Sequence, residues 1–80
     1  MYKIFTDGGS RGNPGKAAFG YIIIDEEGNP LALDAGFLGE ETNNVAEYMG
    51  IIKGLKAAKK LKIKELQVFM DSELIVMQVN

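Results

Sequence analysis

Residues 2–7, Tyr-Lys-Ile-Phe-Thr-Asp, form a short run of aromatic and β-branched side chains, which predicts a strand. Asp7-Gly8-Gly9-Ser10 then reads as turn chemistry, and the loop it opens is expected to continue through Arg11-Gly12-Asn13-Pro14-Gly15. Residues 17–25 predict a second strand carrying Phe19, Tyr21, Ile22, Ile23 and Ile24. Glu26-Glu27-Gly28-Asn29-Pro30 is a turn, and residues 31–38 are a weaker third strand that would pair back on the second as a hairpin. Together these strands make an antiparallel meander.

The period changes after residues 39–44. Tyr48, Ile51, Ile52, Leu55 and Ala58 recur at helical spacing, which predicts one apolar stripe on an amphipathic helix. Two residues compete for its N-cap: Asn44, with Glu47 three positions on as in a capping box, and Thr42. Gly50 and Gly54 inside a helix each cost about 1 kcal/mol against alanine, so close packing is expected there. Residues 66–70 predict a fourth, apolar strand with Asp71 at its end. Ser72 is positioned to cap a final short helix that begins Glu73-Leu74-Ile75-Val76. The predicted order is β-β-β-α-β-α, an α/β fold in which a crossover helix makes strand four parallel to strand one. In a sheet of order 3-2-1-4 the outer edge of strand four is bare, and a homodimer or segment swap through that edge is expected.

Length then bounds the reading. Eighty residues make one domain, residues 1–80, with a modest core. The chain has neither cysteine nor histidine. Disulfides, thiolate or imidazole metal sites, and Ser-His-Asp or Cys-His catalysis are therefore excluded. The first apolar stretch is too short for a signal peptide or a membrane span, so a cytoplasmic protein without membrane attachment is expected. Charge is uneven. Residues 1–47 hold eight acids and three bases, whereas residues 48–80 hold six bases, all between Lys53 and Lys64, and three acids. The basic stretch reads either as a solvated helix face or as a sequence-independent rail for phosphates.

Three acids stand where the predicted topology would bring them together: Asp7 ending strand one, Glu47 in the first turn of the helix, and Asp71 ending strand four. The carboxyl ends of parallel strands are the usual place for sites in open α/β sheets. Taken singly, each acid has an ordinary role in a turn or a helix cap. Taken together, three carboxylates repel unless cations relieve them, and oxygen-only ligation selects hard ions, Mg²⁺ or Mn²⁺. Two such ions can activate water and stabilise a leaving oxygen in phosphodiester cleavage. A nucleoside-triphosphate loop is excluded by spacing. G-x-x-x-x-G-K-[ST] ending at Lys16 requires glycine at position 10, where Ser10 stands, and Ala17 replaces the metal-binding hydroxyl.

Three blocks in order carry a resemblance: Asp7-Gly8-Gly9-Ser10-Arg11-Gly12-Asn13-Pro14-Gly15, then Thr42-Asn43-Asn44-Val45-Ala46-Glu47-Tyr48, then Asp71-Ser72-Glu73-Leu74. They resemble the signature blocks of type 1 ribonuclease H, with the bacterial and archaeal branch nearest. The resemblance implies a ribonuclease H-like fold, two Mg²⁺ ions (or Mn²⁺), and endonucleolytic cleavage of the RNA strand of RNA–DNA hybrids to give 3′-hydroxyl and 5′-phosphate ends. On matching positions it implies that Asp7, Glu47 and Asp71 are catalytic metal ligands. It also implies that Gly8, Ser10, Asn13, Asn43 and Asn44 contact the hybrid, where amides can read the 2′-OH of RNA. The family domain continues with further strands and helices that carry a fourth metal-binding aspartate and a helpful histidine, so the chain is expected to be the N-terminal part of such a domain. The alternatives are a non-catalytic nucleic-acid-binding fragment, and a transposase-, integrase- or resolvase-like nuclease.

Overall fold

Backbone pairing extends the meander well past the runs that hydrophobic pattern marks. In a computed structural model that describes residues 1–70 and 73–79, the elements are β1 (Tyr2–Gly12), β2 (Gly15–Ile24), β3 (Pro30–Glu41), α1 (Asn43–Lys60), β4 (Glu65–Met70) and β5 (Glu73–Gln78). They form one sheet of order β3-β2-β1-β4-β5. β1, β2 and β3 are antiparallel neighbours, and β4 is parallel to β1, as the strand–helix–strand order requires.

Several expectations are corrected here. The stretch from Gly8 to Gly12 is ladder rather than loop, pairing Gly8 with Phe19 and Gly12 with Gly15. Pairing satisfies backbone groups that a loop would leave to water, and this outweighs the low strand propensity of glycine. The turn shrinks to the Asn13-Pro14 pair, entered through Gly12 at φ 87°. Asp7 therefore lies within β1, not at its end. β3 likewise runs on to Glu41, with a bulge opposite Ala17 and Ala18.

The expected last helix is a strand. β5 pairs antiparallel with β4 along its whole length, from Glu65 opposite Gln78 to Met70 opposite Glu73. A helix of two turns is marginal on its own, whereas β-branched Ile75 and Val76 suit a strand, and the edge of β4 offers backbone partners. The bare edge on which a dimer or segment swap was expected is therefore occupied.

Of the two candidate caps Thr42 serves, its hydroxyl accepting from the Val45 N–H at 3.2 Å, while Asn44 lies inside α1. Glu47 consequently sits just past the first turn. The buried face of the helix is rotated from the predicted apolar stripe, sharing with it Ala58 in the core and Leu55 packed against that core. Ala46, Gly50, Gly54 and Ala58 are buried, whereas Tyr48 and Ile52 are 63% and 44% exposed. A Cβ on Gly54 would overlap Ile4 Cδ1, and one on Gly50 would lie 3.2 Å from the Asp7 carbonyl oxygen. The close packing expected at the two helical glycines is thus present. The core beneath holds Ile4, Ile23, Leu66, Val68, Ala58 and Ile63, each large aliphatic contributing about 1.5–3 kcal/mol of transfer free energy. Among the described residues no helix is long and apolar enough to cross a membrane.

Candidate active site and nucleic-acid face

The helix meets the sheet at Gly8. A Cβ there would overlap the Ala46 carbonyl and stand 2.8 Å from the Glu47 backbone nitrogen, so only glycine lets this turn of α1 lie directly on β1. Gly50, one turn further on, rests on the Asp7 carbonyl. These two contacts bring the backbones of Asp7 and Glu47 to the same crossing. Both residues are exposed, and the Asp7 carboxylate accepts from the Gly8 N–H at 2.9 Å. Across the ladder Asp7 faces Gly20, which has no side chain to crowd it. A groove of about 370 Å³ opens here, lined by Asp7, Gly8, Gly9, Ala18, Phe19 and Gly20.

The backbones of two of the three predicted acids thus approach one another, and Asp71 lies outside the described residues. Its chain neighbour Met70 pairs with Thr6, the chain neighbour of Asp7. Among the described residues no three acidic, histidine or cysteine side chains form a metal-binding group. The donors at the crossing are carboxylate oxygens, and that chemistry fits a hard divalent ion.

The amides form the better-defined part of the site. Asn43, the first residue of α1, accepts on Oδ1 from the Ser10 N–H at 2.6 Å and from the Ser10 hydroxyl at 3.1 Å. Asn13 Oδ1 accepts from the Asn43 N–H at 3.1 Å, which satisfies one of the open donors of the helix start. The single Ser10 hydroxyl proton has two acceptors in reach, Asn43 Oδ1 and the Gly12 carbonyl, and serves one at a time. These donors fix which end of each amide is oxygen. The NH₂ groups of Asn13 and Asn43 are left as exposed donors without a partner among the described residues. Asn44 is exposed one position further along α1. Of the predicted site residues, Gly8, Ser10, Asn13, Asn43, Asp7 and Glu47 therefore gather where the β1–β2 hairpin meets the start of α1. Sequence reasoning missed that Asn13 and Asn43 are bonded to each other across 30 positions. The signal available was Asn13 in a hairpin turn and Asn43 beside a helix cap.

Within the lysine stretch, Lys53 stands apart. Its ammonium lies 5.8 Å from the centroid of the Phe19 ring, a cation–π contact beside the Asp7 groove. Tyr21, beneath the helix, has its hydroxyl pKa raised by burial and then by the charge of Asp34, so it stays a neutral phenol.

Comparison with known proteins places this arrangement. The reverse transcriptase-like family model matches residues 5–80. A bifunctional protein of Mycobacterium tuberculosis is 47% identical over 78 residues, covering 96% of this chain and 21% of its own length. Ribonuclease HI of Halobacterium salinarum is 37% identical over 76 residues, covering 95% of this chain and 38% of its own length. Among solved structures, LC11-RNase H1 in complex with an RNA/DNA hybrid is 45% identical with a TM-score of 0.82, covering 91% of this chain and 56% of that one. The N-terminal RNase H domain of the Mycobacterium tuberculosis protein is 46% identical with a TM-score of 0.86, covering 90% and 56%. The chain spans a fifth to two fifths of these curated relatives and a little over half of the solved ones.

Proposed function

The chain belongs to the reverse transcriptase-like family and is a ribonuclease HI-like protein, and from that premise we propose that it binds RNA–DNA hybrids and carries carboxylates for cutting their RNA strand. The observation that carries this reading is the pair of NH₂ donors left open on Asn13 and Asn43, at the hairpin–helix junction that also holds Asp7 and Glu47. In an A-like minor groove the 2′-hydroxyls and base edges offer acceptors, so two fixed amide donors suit a strand that bears 2′-OH groups. A DNA duplex lacks those hydroxyls. The backbone at Gly8 and the hydroxyl of Ser10 flank the same approach, and Asn44 continues it along the helix.

Asp7, Glu47 and Asp71 would hold the divalent ions, Mg²⁺ or Mn²⁺, which supply an activated water and a stabilised leaving oxygen when bound. The chain's own residues hold the hybrid and set which strand lies against the carboxylates. Cleavage in this family chemistry leaves 3′-hydroxyl and 5′-phosphate ends. A second reading is hybrid binding without cleavage, for which the Ser10, Asn13 and Asn43 cluster is enough.

A labelled RNA–DNA hybrid, incubated with the chain and Mg²⁺ or Mn²⁺ beside an Asp7→Asn control, tests both. Cutting of the RNA strand that the control abolishes supports the nuclease. A hybrid bound but left whole supports the second reading. A hybrid neither bound nor cut sinks both.

A further inference from the structure

Beyond Ser10 and Asn43 the surface opens into a second, larger pocket of about 750 Å³, which the catalytic reading does not use. Its walls include Arg11, Lys16 and Phe37. Arg11 and Lys16 stand directly opposite each other in the β1–β2 ladder. Like charges in that position repel, and an anion bound between them would offset that repulsion. Glu40 lies across from Lys16 on β3, yet among the described residues neither base is in an ion pair. Phe37 is 94% exposed, a large aromatic standing almost wholly in solvent. Its neighbours on the pocket floor are small: Gly9, Ala18 and Gly39. The ring therefore rises with space beside its faces.

We propose that this pocket takes an unpaired nucleotide of a single-stranded extension running out of the hybrid, its base stacked on Phe37 and its flanking phosphates held by Arg11 and Lys16. The proposal deepens the nucleic-acid reading above and rests on it. Three observations select this occupant. The two bases complement phosphate charge. An aromatic face accepts any base by stacking, and only a base outside a duplex can offer its own face. Ser10 and Asn43 line both this pocket and the amide site, so one strand can pass from one to the other. The expected consequence is a preference for hybrids bordered by single strand, as at a junction or an unfinished end, over blunt hybrids.

Fluorescence anisotropy without divalent ions would test this, using a blunt hybrid and four versions carrying a short extension on each strand end in turn. One extension is expected to tighten binding about 5- to 10-fold, in line with one base stacked on an aromatic ring. Phe37→Ala should remove that gain and leave blunt-hybrid affinity unchanged, and Phe37→Trp should restore it. Phe37 is exposed, so circular dichroism should show both variants folded. If all four extensions bind like the blunt hybrid, or if the gain survives Phe37→Ala, the pocket does not hold a base. Blunt binding without an extension gain overturns this proposal alone, whereas absence of binding to any of the five overturns the hybrid reading with it.

Discussion

One sheet here has two unlike faces. On the side toward α1, Ile4, Ile23 and Leu66 are fully buried and Val68 is 1% exposed. On the other side, the residues that alternate with them stay open: Phe5 is 41% exposed, Leu33 71%, Leu74 54% and Val76 55%. The difference does not lie in hydrophobicity, since both faces are apolar. It lies in what the covering element brings. α1 presents Ala46, Gly50, Gly54 and Ala58, small enough for its backbone to lie on β1 and β2. Among the described residues the open face has only its own side chains for cover, including the Phe5 and Phe69 rings stacked at 4.9 Å. The site lies where α1 crosses β1, because the Asp7 and Glu47 backbones approach only if small residues let the helix touch the strand.

Substitutions should separate the faces. Leu66→Ala, under the helix, is expected to cost about 2–5 kcal/mol. Leu33→Ser, on the open face, should stay within about 0.5 kcal/mol. Urea unfolding of both would show it, and equal losses would mean the faces are not energetically distinct. Gly8→Ala comes next, at about 1–3 kcal/mol for overpacking against a backbone carbonyl that cannot retreat. It should also push the Glu47 backbone away from Asp7, so the proposed RNA cleavage, assayed per folded molecule, should fall. Thr42→Ala removes the cap on Val45 and should cost about 1 kcal/mol, a fall in Tm of roughly 4–8 °C for a domain of this size.

The smallest effect concerns the β2–β3 turn, far from either packing surface. The Asp25 carboxylate accepts from the Asn29 and Glu27 N–H groups, and these bonds, led by that from Asn29, hold its pKa below the usual aspartate value. A carboxylate lowered in the folded state contributes stability above its unfolded pKa, and that contribution fades as pH falls through the folded value. The Tm difference between the chain and Asp25→Asn should therefore be greatest near neutrality and vanish in strong acid. A difference that persists at every pH would show that charge is not its source.

Legibility varied with the kind of interaction. The meander, the long helix, the parallel fourth strand and the Thr42 alternative could be read from pattern and cap chemistry, because those signals are local. Three motif blocks mark the family in the sequence itself, since glycine, asparagine and acid positions are tied to the site they build. The helix face was legible only in part, at Leu55 and Ala58, because periodicity weighs large apolar side chains, whereas close approach favours glycine and alanine, which hydrophobicity scales barely register.

Sequence alone determined the oxygen-only donor chemistry, the absence of thiols and imidazoles and the order of strands one to four, and it singled out Ser10, Asn13 and Asn43, which the fold then gathers. The tertiary structure decided how far the strands run, which helix face is buried, that residues 73–78 complete a sheet instead of turning into helix, and that Asn13 and Asn43 are bonded together. The physical reason is the same throughout. Local pattern fixes what a segment can do, but an unpaired strand edge, a ladder partner or a touching backbone belongs to another segment, and its free energy exists only once both are in place.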